Sequence, residues 1–398
     1  MKIGLVPEGP LAFVNGKYYY TEGEIQYIDK IANQFDELTI YGYAVKKGDQ
    51  YFDVLARVEI TNPKIKVREL PHLSGKIGKL YQMWLVFLIF LKEVKNQDLF
   101  YIFYPGYPAV FSYLACRIKK VSYFSYLASD WPEEADLLNP WRGLFGKIIF
   151  PFFYKGVSWA QDSAVKNSVF TLTAGGMIKA KYDNTFDKVY ETVPRLNWED
   201  FNIYKREDTC ESSEINLLFV GYLLPRKGLL YLLKALKLIK NDLPGKKFML
   251  HIAGDGEQRE EVESFIRDND LGNEVVMYGH VANGPDVIDM YQNADIFVVP
   301  SYAGEGFPRV LYEGMFYTLP IVTCNICGIP YKLTHEENCL MVKPESEAAI
   351  LSSLKRIIVD GELRRKLIQG SYSFSDDLLR NSDGGKQIKD LLIKYNVV

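Results

Sequence analysis

Short apolar segments alternate with stretches of helical periodicity along the whole chain. In the first half the apolar segments are KIGLV, ELTIYGYAV, DLFYIFY and VSYFSYLA, and residues 24–35 and 76–94 between them show helical periodicity. In the second half INLLFVG, KKFMLHIAG, ADIFVVPS and PIVTC are segments of the same kind. Such runs predict strands buried on both faces, and their alternation with helices predicts parallel sheets covered by helices. The expected fold class is therefore α/β.

The alternation is interrupted near residues 204–213, where KREDTCESS is polar and without periodicity. The chain has 398 residues, roughly two to three times the usual size of one domain, so we place a domain boundary there. We predict Rossmann-like domains over residues 1–205 and 206–375, and a final helix over 376–398 that returns to the first domain. Ligands of doubly wound sheets bind beyond the carboxyl ends of the strands, so the two domains are expected to face a central cleft.

Composition excludes several classes of protein. With 48% hydrophobic and 24% charged residues the chain is globular, and a net charge of −3 gives no electrostatic footprint for nucleic acid. Five cysteines without regular spacing favour a reducing compartment. The start, MKIGLVPEGP, lacks the layout of a signal peptide, and the longest apolar run, MWLVFLIFL, is shorter than the roughly 20 residues that span a bilayer. We expect a cytoplasmic protein.

The turn after the segment ADIFVVPS carries the first candidate chemistry, in the sequence GEGFPRVLYEG at residues 304–314. Pro308 suits the first position of a helix, because its fixed φ fits there and its missing N–H would have no partner. The free N–H groups near Phe307 and Val310 would then point out of a helix N-terminus. Such an end attracts phosphate.

Two glutamates flank this predicted phosphate site. Glu313 lies about 7.5 Å inside the helix, at about 1.5 Å per residue, which suits a ribose whose two hydroxyls donate to one carboxylate. Glu305 precedes the helix and could accept hydrogen bonds from the hydroxyls of a sugar. The pair therefore predicts a diphosphate with a polyol at either end.

Two further turns support a diphosphate. In VGYLLPRKGLL, Arg226 and Lys227 directly follow a strand, where two adjacent cations can neutralise a diphosphate without a metal ion. In AGDGEQ, Gly254 lets the backbone approach a ligand closely, because glycine has no Cβ.

These turns, in this order, resemble family 4 of the glycosyltransferases, the retaining enzymes of GT-B fold. The resemblance covers residues 215–358 and is carried by FVGYLLPRKG, HIAGDGE, YGHVANGPDVIDMYQNADIFVVPS, the two glutamates of GEGFPRVLYEG and LPIVTCNICGIP. It implies that Arg226 and Lys227 hold the nucleotide diphosphate, Glu313 the ribose and Glu305 the transferred sugar. His280 follows a strand near the expected base pocket. The predicted donor-binding residues are Arg226, Lys227, Gly254, His280, Glu305, Gly306, Phe307, Val310 and Glu313.

Two positions depart from the family pattern. The family often has arginine directly after the strand glycine, where this chain has Tyr222, and Arg226 would take over that charge. A glutamate is usual shortly after the Gly-Ile-Pro turn, where Tyr331 stands. These departures bear on the identity of the donor.

The first half resembles the family more loosely, through its strand order and the first loop, which contains Gly16. Retaining members often carry a histidine after a mid-domain strand, but VSYFSYLA leads here into SDWPEE. We assign Asp130 to this position as an acceptor-orienting residue and place it with Glu305 in the catalytic centre; the competing interpretation is that Asp130 caps a turn. In such enzymes the departing phosphate oxygen is thought to act as the base.

A basic and aromatic segment, NPWRGLFGKIIFPFFYKGVSW at residues 139–159, contains no acidic residue. From residue 57 to 155 there are 14 Lys+Arg against 8 Asp+Glu. Together with the apolar run at 83–91, this predicts a surface that lies on anionic lipid; the alternative is two buried helices with solvated lysines. On the first interpretation the protein is peripheral on the cytoplasmic face of a membrane and its acceptor is lipid-linked.

Two motifs suggest metal, and we assign none to either. Cys324 and Cys327 lack a second Cys-x2-Cys pair, so they are expected to be incidental thiols. Asp268-Asn269-Asp270 imitates the Asp-x-Asp site of other glycosyltransferases but is expected to be a polar loop.

The predicted function is transfer of a sugar, with retention, from a UDP- or GDP-type donor to a glycan or lipid-linked acceptor, in cell-surface polysaccharide or glycolipid assembly. No cofactor and no metal ion are expected. Two alternatives remain open at this point: a sugar-nucleotide epimerase of GT-B fold, and a non-catalytic subunit that binds nucleotide-sugar.

Overall fold

A computed structural model describes residues 1–49, 52–72, 76–129, 144–195, 202–282, 284–303 and 306–398. The chain divides into two compact units. One contains residues 1–197 together with 381–398, and the other contains residues 198–380.

The first unit is built from strands and helices that alternate along part of the chain. Its strands are β1 (Lys2–Val6), β2 (Leu11–Val14), β3 (Lys17–Tyr20), β4 (Glu37–Gly42), β5 (Ala44–Val45), β6 (Val58–Glu59), β7 (Ile65–Glu69), β8 (Leu99–Tyr104), β9 (Ser122–Leu127), β10 (Thr171–Thr173) and β11 (Val189–Glu191). Its helices are α1 (Glu22–Ala32), α2 (Phe52–Leu55), α3 (Lys76–Glu93), α4 (Tyr107–Lys119), α5 (Leu144–Asn167), α6 (Gly176–Asp183) and the last helix of the chain, α13 (Gly384–Lys394).

The main sheet of this unit is parallel, with strand order β11-β10-β9-β8-β1-β4-β7 among the described residues. Strand β8, LFYIFY, is buried at every position because helices cover both faces. The order runs from β1 through β4 to β7 and then returns to β8 on the other side of β1. The topological switch point therefore lies at the carboxyl ends of β1 and β8.

Helix α13 belongs to the first unit because it packs on α1. A Cβ on Gly384 would lie 2.5 Å from the ring of Tyr27, and one on Gly385 would lie 2.3 Å from the carbonyl oxygen of Lys30. The side chain of Gln387 donates to the carbonyl of Glu191 at the end of β11 (2.9 Å). Small residues at the contact thus allow the helix backbones to approach closely.

The second unit repeats the alternation. Its strands are β12 (Glu214–Val220), β13 (Lys247–Ala253), β14 (Val275–Gly279), β15 (Ile296–Val299), β16 (Ile321–Cys324) and β17 (Leu340–Val342). Its helices are α7 (Leu229–Asp242), α8 (Arg259–Asp268), α9 (Pro285–Asn293), α10 (Arg309–Phe316), α11 (Glu347–Val359) and α12 (Gly361–Arg380).

The sheet of the second unit has the order β14-β13-β12-β15-β16-β17, and the pairings are parallel. The chain moves outward from β12 to β14 and then crosses back to β15, on the other side of β12. The switch point therefore lies between the carboxyl ends of β12 and β15. A ligand site is expected at this edge.

The polar segment KREDTCESS is attached to the second unit by its side chains. The guanidinium of Arg206 donates to the carbonyl of Tyr317 (2.8 Å) after α10, and to the carbonyls of Tyr291 (2.5 Å) and Ala294 (3.1 Å) at the end of α9. Helix ends leave such carbonyls without partners inside the helix. The lack of periodicity in this segment therefore reflects capping of helix ends. The segment belongs to the second unit, which begins before it, at residue 198.

Candidate functional site

Backbone hydrogen bonds join the turns at the switch point of the second sheet. In the turn after β12, the Gly221 N–H donates to Ala253 O (3.0 Å) and the Leu223 N–H donates to Asp255 O (3.0 Å). The Gln258 N–H in turn donates to Leu223 O (3.0 Å). The turn after β12 and the turn after β13 therefore form one backbone unit.

Two glycines allow the turn after β12 to pack closely against its neighbours, the turn after β13 and the chain after β15. Gly254 has φ +154°, and a Cβ there would lie 1.9 Å from the carbonyl oxygen of Gly221. Gly228 has φ +73°, and a Cβ there would lie 2.1 Å from the carbonyl oxygen of Pro300, after β15. Any other residue would force the turns apart. Gly254 thus sets the spacing of the turns, a role distinct from the ligand contact that the sequence predicts for it.

Arg226 and Lys227 lie on the short 3₁₀ turn Pro225–Lys227 that leads into α7. Both are half-buried. The Arg226 carbonyl accepts from the Tyr302 N–H (2.9 Å), which fixes the turn against the chain leaving β15. The two predicted cations therefore lie at the switch point, on a backbone held from both sides.

Helix α10 begins at Arg309, one residue later than the sequence predicts. Pro308 is its N-cap, with φ −58° and ψ 129°, and the side chain of this residue makes no capping hydrogen bond. The extended ψ at Pro308 ends the loop, and the first helical turn follows. Phe307 and Val310 on either side of this start are half-buried, and Gly306 is exposed. This N-terminus retains its N–H groups for a ligand anion.

The carboxylate of Glu313 on α10 is held by two neighbours. The Tyr291 hydroxyl donates to one oxygen (2.8 Å), and Arg309 Nε lies 3.4 Å from the other. Burial, and then the charge of Glu313, raise the pKa of Tyr291 well above its usual value, so its hydroxyl remains a donor. A carboxylate has about four acceptor positions, which leaves two for a ligand. The Glu313 side chain is 19% exposed.

His280 follows β14, is exposed, and lines a groove of about 570 Å³. The preceding residue, Gly279, accepts through its carbonyl from the Gly254 N–H (2.7 Å), which links this strand end to the glycine turns. Inside the groove His251 Nδ1 lies 2.9 Å from the Tyr278 hydroxyl. Burial lowers the pKa of His251, so this imidazole is neutral at pH 7.

The structure adds Lys332, which the sequence analysis did not select. Its ammonium lies 5.6 Å from the ring centroids of both Phe307 and Tyr312, at the start of α10. The loop after β16 can lie against this helix start because residue 328 is a glycine. A Cβ there would lie only 2.0 Å from the Gly306 carbonyl oxygen. The sequence signal is a lysine two residues after Gly-Ile-Pro.

The remaining predicted residues are Asp130, Glu305 and Gly16. Asp130 and Glu305 lie outside the described residues. Gly16 lies in the first unit, in the turn between β2 and β3, at φ +84° with open space around it.

The residues with metal-ligand character are dispersed. Within the ranges that the structure describes, no three His, Cys, Asp or Glu side chains are grouped as metal ligands. Cys324 is buried in β16, and burial raises the pKa of its thiol to about 12. Asp255 forms its own turn: the Gly256 N–H donates to it (2.8 Å) and lowers its pKa, with Arg259 adding an ion pair (2.9 Å).

The second unit is similar to a known family of proteins. Residues 200–374 match the family described as glycosyl transferases group 1. The uncharacterized glycosyltransferase MJ1607 of Methanocaldococcus jannaschii is 30% identical over 176 residues, 44% of this chain and 44% of that protein. The amylovoran biosynthesis glycosyltransferase AmsK of Erwinia amylovora is 28% identical over 181 residues, 44% of this chain and 43% of that protein. The chain therefore spans less than half the length of these relatives.

Among solved structures, a crystal structure of Anabaena Alr3699/HepE in complex with UDP aligns with a TM-score of 0.64 over 99% of both chains, at 14% identity. This agreement and the two parallel sheets define the fold as GT-B, with two Rossmann-like domains, and confirm the predicted fold class. Residues 200–374 match the glycosyl transferases group 1, in agreement with the family resemblance predicted for that part of the chain. None of the helices described here is long and apolar enough to cross a membrane.

Proposed function

We propose that this protein is a retaining glycosyltransferase that moves a sugar from a nucleotide-diphosphate donor to a glycan or lipid-linked acceptor. The observation that carries the proposal is the switch point of the second sheet. There Arg226 and Lys227 lie on a turn held by backbone hydrogen bonds, and α10, whose N-cap Pro308 makes no side-chain cap, follows the neighbouring strand β15. Both features lie in the segment that matches the glycosyl transferases group 1.

These groups suit the charge that develops during transfer. When the bond between the anomeric carbon and the diphosphate oxygen breaks, its electron pair goes to the diphosphate. Fixed cations and helix N–H groups stabilise that charge without reorganising. The acceptor hydroxyl then bonds to the anomeric carbon and gives its proton to the departing phosphate oxygen. In this scheme Glu313 binds the ribose, and Lys332 adds a third cation.

The setting is assembly of a cell-surface polysaccharide or glycolipid. AmsK, a relative of the second unit, is named for amylovoran biosynthesis, and HepE was crystallised with UDP. The first supports a glycan product and the second supports a UDP-type donor for this chain.

A thermal-shift comparison tests the donor class. Of UDP-glucose, GDP-mannose and ADP-glucose, we expect one nucleotide to raise Tm clearly, because a ligand at 100 Kd stabilises the folded state by about 2.7 kcal/mol. The same mixture should then release free sugar slowly by hydrolysis. A donor that stabilises the protein without any release would indicate a binding subunit, and conversion to a second sugar nucleotide would indicate an epimerase. No stabilisation by any of the three would contradict the proposal.

We further propose that the first unit lies on an anionic membrane surface through helix α3. Tyr81, Trp84 and Leu88, spaced three and four residues apart, are 58%, 59% and 43% exposed on one side of the helix. Val86 and Phe90 on the other side are fully buried. Because residues at this spacing share a helix face, α3 presents an apolar stripe rather than scattered side chains. The excess of basic residues between 57 and 155 favours an anionic lipid surface.

Vesicle sedimentation tests the membrane proposal. The protein should pellet with vesicles of phosphatidylserine and phosphatidylcholine at low salt, and Trp84→Ala should reduce the bound fraction at least threefold. The control is Ile393→Ala, which removes an apolar side chain that is 52% exposed on α13. Equal binding of Trp84→Ala and the unaltered protein, or no pelleting at any salt concentration, would contradict this proposal.

A further inference from the structure

The first sheet has its own switch point, and an ion pair lies at that edge. Helix α1 starts there, after its N-cap Thr21, and the chain leaving β11 reaches the same edge at Arg195. The guanidinium of Arg195 donates through Nη1 to both carboxylate oxygens of Glu24 on α1, at 2.7 and 2.9 Å. The two residues are 171 positions apart in the sequence.

Arg195 is enclosed by aromatic rings. Its guanidinium carbon lies 4.1 Å from the ring centroid of Tyr126, 4.6 Å from that of Phe103 and 4.9 Å from that of Tyr27. Phe103 and Tyr126 are the fifth residues of the six-residue strands β8 and β9, so these two rings lie at the carboxyl ends of the strands. From among these rings its Nη1 reaches the carboxylate of Glu24.

The arrangement is costly for stability. Arg195 Nε and Nη2 are buried and have no hydrogen-bond partner in the described part of the chain. A guanidinium carries five donors, and a buried donor without a partner costs about 1–3 kcal/mol. A protein is often at least as stable when apolar residues of similar volume replace a buried ion pair. Buried donors without partners are avoided in ordinary protein interiors, and such exceptions are typical of functional positions.

Glu24 is the accessible member of the pair. Its side chain is 25% exposed, against 12% for Arg195. Because both oxygens are tied to one nitrogen, the carboxylate is held in one orientation with acceptor positions facing away from Arg195. A carboxylate fixed in this way can accept hydrogen bonds from hydroxyl groups.

Exposure determines which groups can approach this edge. The Glu24 carboxylate is the more accessible member of the ion pair, and the Arg195 cation is more deeply buried. An anionic group would therefore meet the carboxylate first and be repelled, which favours a neutral polyol.

We propose that Glu24, positioned by Arg195, binds hydroxyl groups of the acceptor, and that the part of the acceptor reaching this edge is neutral sugar and not phosphate. The proposal rests on the proposed transferase function. Glu24 would contact the substrate, whereas Arg195 is a positioning residue that acts through Glu24.

The experiment measures binding of the methyl glycosides of glucose, galactose and mannose by saturation-transfer NMR, with the stabilising nucleotide sugar present. Glu24→Gln should weaken binding of the preferred glycoside at least tenfold, while donor affinity and the rate of donor hydrolysis stay within twofold. The matched control is Glu22→Gln, which removes the same charge from the same helix turn at an exposed position and should bind normally. Glu24→Asp should restore part of the binding, and Arg195→Lys should weaken it with the donor reactions unchanged.

Several results would overturn the proposal. They are failure of all three glycosides to bind the unaltered protein, equal loss in Glu24→Gln and Glu22→Gln, or a loss that follows only a fall in Tm. Tighter binding of methyl phosphate than of the glycosides would also overturn it. If no nucleotide sugar binds at all, the proposed function itself has failed, which is a separate outcome.

Discussion

Replacing Lys227 by alanine is expected to lower the rate of sugar transfer at saturating donor by about 100-fold or more. Removal of one fixed group that stabilises developing negative charge typically costs about 10²–10³ in rate. Lys227 suits this role because its turn is held by backbone bonds that survive the substitution, among them Lys227 N to Leu224 O (2.9 Å). The loss should therefore reflect the charge and leave the fold intact.

The measurement is release of nucleoside diphosphate from the sugar nucleotide that stabilises the protein, with Tm recorded for each variant. Lys234→Ala is the matched control, since Lys234 is an exposed lysine on α7, the helix that follows the same turn. It should retain the full rate. Because Arg226 lies beside Lys227, the double variant should lose more than either single one. If the rate of Lys227→Ala stays within threefold of that of the unaltered protein, the diphosphate does not bind at this turn.

Replacing Asp208 by alanine is expected to destabilise the second unit by about 3–5 kcal/mol, the usual cost of leaving a buried charge without its partner. The Arg364 guanidinium donates to Asp208 through Nε (2.5 Å) and Nη2 (3.1 Å), and Arg365 Nη1 adds a third bond (2.9 Å). The Arg364 and Asp208 side chains are 8% and 11% exposed. Arg364 Nη1 also donates to the carbonyl of Ile357 (2.8 Å), so the network ties the segment after the unit boundary to α11 and α12.

The same network predicts a dependence of stability on pH. Burial alone would raise the pKa of Asp208, but hydrogen bonds from Arg364 and the Thr209 N–H outweigh it and lower that pKa below its usual range. A lowered folded-state pKa means that the stabilisation is complete above the unfolded value of about 3.9 and is lost as the pH falls through the folded value. Tm should therefore fall below about pH 4 more steeply in the unaltered protein than in Asp208→Asn.

Urea unfolding at pH 7 measures the free energy, and thermal scans between pH 3 and 7 measure the slope. The control is Asp242→Ala, which breaks an ion pair with Lys355 (2.9 Å) whose partners are both 40% exposed. Screening by water limits such a pair to about 0–1 kcal/mol. If Asp208→Ala costs no more than this control, the network does not stabilise the unit.

The sequence was sufficient for the features that depend on local pattern. Strand β8 is apolar at every position and is a central strand, and Arg226 and Lys227 follow β12 on a turn, as the spacing of PRK after INLLFVG predicts. The apolar run at 83–91 lies on α3, but the run alone did not show that its residues divide between a buried and an exposed face. Helical periodicity carries little information when nearly every position is apolar.

What the sequence determined by itself is the alternation of elements, the α/β class and the position of the cation-bearing and glycine-rich turns, because each follows from residues close together in the chain. What only the tertiary structure decided is which distant side chains meet. Arg195 reaches Glu24 and Tyr291 reaches Glu313 because parallel strands bring separate turns to one edge of a sheet. Strand order sets those pairings, and no local spacing of residues encodes it.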